Sequence, residues 1–96
     1  MASKREIKKD INFLTNEVLE TCSLHYHLKP NKEEIVPQIH EIMEETLALR
    51  NELIYKVNHP DKNLKGGELH AWYAQLLNQM MQKTDEVFEK LGRLGQ

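Results

Sequence analysis

Three long apolar stripes, each closed by a helix-breaking segment, constrain this chain more than any other feature. In the first, Ile7, Ile11, Leu14, Val18 and Cys22 recur at steps of four and three, which places them on one face of an α-helix. The pattern continues through His25 to Leu28 and stops at Lys29-Pro30-Asn31, because a proline disfavours helical backbone in the residue before it. A second stripe runs through Ile39, Ile42, Met43, Thr46, Leu47, Leu49, Leu53, Ile54 and Val57 and ends at Asn58-His59-Pro60. The third follows Gly66-Gly67 and presents Leu69, Tyr73, Leu76, Met80, Val87 and Leu91 in the same rhythm.

Local signals set the ends. Ser3 and Glu6 match a capping box, so the first helix is predicted to begin near residue 4. Asn31 with Glu34 suggests a second cap, but Pro37 would remove a backbone bond to Glu33, so the second helix either starts at Val36-Pro37 or is kinked there. Gly92 is a natural stop in the left-handed conformation. The result is three helices over about 4–28, 33–58 and 67–92. Their matched lengths and short connections predict an all-α, up-down-up three-helix bundle as a single domain over residues 1–96. The apolar faces of the second and third helices are wider than a two-stranded seam, as suits a helix touching two others. A dimer of three plus three helices is the close alternative.

Composition narrows the function classes. A chain of 96 residues with 40% apolar and 29% charged residues supports one ordinary core, and a net charge of −2 argues against a general nucleic-acid binder. No apolar run approaches the ~20 residues of a membrane span, and the charged Lys4-Arg5-Glu6 start is unlike a signal peptide, so a cytoplasmic location is expected. Cys22 is the single cysteine and has no disulfide partner within the chain.

One motif stands out. His59-Pro60-Asp61, followed by Lys62 and Asn63 between two amphipathic helices, resembles the loop of J-domain co-chaperones. Ala71, Tyr73, Leu76 and Met80 fall where that family's following helix carries core residues, so the resemblance spans residues 59–80. It implies contact with a DnaK-type ATPase through this loop. Upstream the pattern departs. The family's preceding helix is basic, whereas residues 31–58 carry Lys32, Arg50 and Lys56 against six glutamates, and Asn58 stands where an aromatic residue usually precedes the histidine. Arg50 and Asn51 stand where the family carries small or aromatic core residues, and the long first helix is foreign to the family. Pro60 as a helix stop, Asp61 as an Asx turn and Asn63 as a connector account for the same residues.

Catalytic and metal chemistries find little support. Cys22, His25 and His27 lack a fourth zinc ligand, and no Glu-x-x-His pair exists for a di-iron bundle. Leu47 through Val57 resembles part of the first helix of helical chorismate mutases, but Arg5, Arg50 and Arg93 are the only arginines and lie far apart in sequence. No nucleophile with an adjacent base or phosphate-binding loop is present. No cofactor, metal site or small-molecule substrate is therefore expected.

Binding surfaces remain. An up-down-up order brings Lys4, Arg5, Lys8 and Lys9 to the end that holds Lys56, Lys62 and Lys65, where two helix N-termini add partial positive charge. This end, with Tyr55 and the His59-Pro60-Asp61 connection, is the candidate surface for an acidic partner; a plain solvated lysine face is the alternative. Trp72 flanks the same connection and is expected at the core edge. Phe13 and Leu24 fall on the back of the first helix, away from its core stripe, and are candidates for self-association. The expected function is a non-catalytic protein-interaction module, with a J-like co-chaperone as the alternative.

Overall fold

The helical spacing is realised directly. In the computed structural model, which describes residues 3–29 and 32–94, the chain forms α1 (Lys4–Leu28), α2 (Lys32–Asn58) and α3 (Gly67–Arg93). The Ser3 Oγ accepts from the Glu6 backbone N–H at 3.2 Å and fixes the start of α1. Asn31 lies outside the described residues. Helix α2 runs unbroken through Pro37, which settles the choice of start in favour of the earlier one. Pro37 is tolerated because it sits early in the helix, where the lost bond involves only the first turns. Gly92 does not stop α3. It stays helical, and the chain leaves the helix after Arg93, with Leu94 buried against the core and its N–H bonded to the Leu91 carbonyl. Burial of the Leu94 side chain holds the last turn past the glycine.

Each helix packs on the other two, with the α2–α3 contact the smallest of the three. Ile7, Val57 and Tyr73 share one apolar cluster, while Cys22, Ile35 and Leu91 share another, so the helices alternate in direction as expected. The body measures 51 × 19 × 18 Å. Among the described residues no helix is long and apolar enough to cross a membrane.

Between the two clusters lie three buried threonines, one from each helix. Thr15 follows Ile11 of one cluster and precedes Val18 of the other; Thr46 and Thr84 occupy the equivalent boundary in α2 and α3. Each hydroxyl donates to the carbonyl four residues earlier, at 2.9 Å to Ile11, 2.8 Å to Ile42 and 2.8 Å to Met80. The polar atoms are thereby satisfied inside their own helices and the methyls are left to pack. The core is two apolar halves joined by a threonine layer.

Candidate binding surfaces

The basic end forms as the topology requires. Ile7, Val57 and Tyr73 are buried together there, so Lys4, Arg5, Lys8 and Lys9 on the first turns of α1 stand at the same end as Lys56, Lys62 and Lys65. Of these, Lys56 is tied to Glu52 at 3.2 Å. Among the described residues the other six form no ion pair. The N-termini of α1 and α3 point to this end; α3 is entered through Gly66 without a side-chain cap, and the Glu68 N–H donates instead to the Lys65 carbonyl at 3.2 Å.

The 59–66 connection is built from its own short-range bonds. The Asp61 carboxylate accepts from the Asn63 N–H at 2.9 Å, the Asx turn expected from the sequence, and the Leu64 N–H donates to the Asp61 carbonyl at 3.1 Å. His59 folds back on α2. Its Nδ1 lies 2.9 Å from the Tyr55 carbonyl and its ring stacks on Tyr55 with centroids 4.1 Å apart. Tyr55, His59, Asp61 and Lys62 are exposed and Pro60 is half-buried. Trp72 packs against the edge of the core.

Charge divides along the bundle. Residues 3–15 and 46–58, at the connection end of α1 and α2, hold six Lys or Arg and three Asp or Glu. Residues 16–29 and 32–45, at the other end, hold two and seven. Helix α3 shows no such division, with three residues of each sign in its second half. The α1–α2 layer is therefore the polar element of the molecule.

Its outer rim also carries a groove that spacing alone did not show. Leu19 and Tyr26 of α1 and Val36, His40 and Met43 of α2 line a largely apolar groove of ≈ 310 Å³ at the acidic end. Below it Arg50 donates to Asn12 across the two helices at 2.8 Å and to Asn51 at 2.9 Å, which fixes the register of α1 against α2. Phe13 and Leu24 are 59% and 55% exposed, far more than packed residues, and sit on the outer side of the same helix.

Elsewhere the chemistry is quiet. Cys22 is fully buried, and burial pushes its thiol pKa up, which keeps it protonated. His25 is half-buried and His27 exposed, and among the described residues no three potential ligands gather into a metal-sized group. On the α2–α3 side Lys83 reaches Glu45 at 2.9 Å. This hydrogen bond and the lysine's charge hold the Glu45 carboxyl below its usual range. Comparison with known proteins finds no family model, no curated protein and no solved structure that matches this chain.

Proposed function

We propose that this chain is a non-catalytic, cytosolic interaction module that binds a protein partner, or itself, through its α1–α2 layer. The observation that carries this reading is the charge division: nine cationic or anionic residues at each end of one layer, net positive where Lys8, Lys9, Lys62 and Lys65 stand and net negative at the other end. A chain of nearly neutral total charge gains little general attraction from such a pattern, but it gains orientation. An acidic partner is steered to one end, and like-charged ends are turned away. Phe13 and the groove supply apolar contact area next to that charge, the combination of apolar centre and polar rim that interfaces use. Reversal of Lys8, Lys9, Lys62 and Lys65 to Glu tests the reading. Loss of partners otherwise retained by immobilised wild type is expected; an unchanged set of partners would eliminate the basic end.

A second reading rests on one observation, the His59-Pro60-Asp61 sequence at the tip of the antiparallel α2–α3 hairpin, with His59 and Asp61 exposed. As a J-like co-chaperone the chain would stimulate a DnaK-type ATPase, and His59→Gln would abolish the effect. The acidic balance of α2 and the Asx turn that engages Asp61 favour the interaction module, for which no stimulation is expected from either protein.

A further inference from the structure

We infer that the α1–α2 layer is built to dock antiparallel on the same layer of a second copy of this chain, an inference that rests on the binding reading above and names its partner. Four exposed residues of α1, namely Lys9, Phe13, Asn16 and Glu20, follow one another at steps of four, three and four and so form a single outward stripe. Its order is basic, aromatic, polar, acidic. Lys9 and Glu20 are equidistant from the point midway between Phe13 and Asn16. A half-turn about an axis through that point therefore sets Lys9 of each copy against Glu20 of the other, with the Phe13 rings beside the axis. This is the self-complementary arrangement that a two-fold interface requires.

Helix α2 repeats the order at the same level. The Arg50–Asn12 bond and the Leu19–Met43 groove wall fix how the two helices run past one another, and this register puts Leu47, 38% exposed, level with the middle of the α1 stripe. Glu44 then lies on the acidic side of Leu47 and Arg50 on the basic side, equally spaced from it. In the docked pair the groove at the acidic end meets the basic end of the second copy. The aliphatic stems of Arg5 and Lys9 suit its apolar walls, and their charged heads reach the glutamates around it. One long face of a body 51 × 19 × 18 Å is large enough for the ~800 Å² per partner of a standard interface. A parallel arrangement would instead stack the two basic ends and the two acidic ends on each other, which like-charge repulsion disfavours.

Two charge-reversed chains test this. One carries Arg5→Glu and Lys9→Glu, the other Glu20→Lys and Glu44→Lys; all four positions are exposed, so each chain is expected to keep the helical circular dichroism of the wild type. By sedimentation equilibrium the wild type is expected at twice the 11.3 kDa of one chain, and each reversed chain alone at single-chain mass, its dimer dissociation constant raised at least ~10-fold. Mixed in equal amounts, the two reversed chains are expected to form a dimer holding one of each, because residue 9 of each chain again faces a residue 20 of opposite sign in the other. A wild type of single-chain mass at ~100 μM, reversed chains that still self-associate, or a mixture that stays monomeric would each overturn the inference. A monomeric wild type that still loses its other partners when the basic end is reversed would overturn self-docking while leaving the binding reading intact.

Discussion

Thr15, Thr46 and Thr84 place hydroxyls at a level where methyl groups would fill the same space, and each hydroxyl bonds to a carbonyl that its own helix ladder already uses. Changing all three to valine therefore leaves no buried acceptor without a partner. The triple variant is expected to be more stable than the wild type by about 1–3 kcal/mol, read as a higher urea midpoint with an unchanged slope; a loss of stability would show that the hydroxyls hold the layer together. By contrast Leu53→Ala, at a fully buried site, is expected to cost about 2–5 kcal/mol in the same assay. The apolar core residues are legible in the sequence because hydrophobic spacing is a direct signal. Thr15 and Thr84 are not, since their polar side chains look like solvent-facing ones; the only clue is that each lies four residues after one core position and three before the next. Glu45 gives the residue scale a pH dependence. Its lowered pKa means that the Lys83 pair contributes stability above the unfolded carboxylate pKa, and that this contribution disappears as pH falls through the folded value. Because the carboxylate is 41% exposed, the contribution is small, about 1 kcal/mol or less. Glu45→Gln is expected to match the wild type in urea stability at pH 3 and to fall slightly below it at pH 7.

At the scale of the helices, two glycines separate intrinsic conformational preference from packing. Gly66 has φ +54° at the entry to α3, whereas Gly92 lies inside the last turns of that helix, and an added Cβ would meet nothing within 4 Å at either position. Space being equal, backbone conformation decides. Gly66→Ala is expected to lower stability by about 1–2 kcal/mol through the left-handed penalty, and Gly92→Ala to raise it by about 0.5–1 kcal/mol through helix propensity. Thermal midpoints that move in opposite directions would confirm this, while two shifts of the same sign would contradict it. Helix limits were legible wherever a local cap or breaker acts alone, as at Ser3 and at the turn begun by Pro60. They were misread at Gly92, where burial of Leu94 outweighs the glycine's preference, and left open at Pro37, which the packing of Ile35 and Ile39 on either side holds within the helix.

For the whole molecule, the basic end was legible because alternating helix direction and residue counts suffice to place it. The groove walled by Leu19 and Met43 was not, since it depends on the register of α1 against α2, which the Arg50–Asn12 bond reveals only in three dimensions. The same register turns the exposed Phe13 from an isolated surface apolar residue into the middle of a charge-symmetric stripe. The central claim is that the charge-divided layer drives self-association, and charge-driven contacts respond to salt as the screening length falls from ~30 Å at 0.01 M to ~3 Å at 1 M. The most direct measurement is the mass of the wild-type chain by sedimentation equilibrium at these two salt concentrations. A two-chain mass at low salt that shifts toward 11.3 kDa at high salt is predicted, and 11.3 kDa at both, or a two-chain mass indifferent to salt, would contradict it.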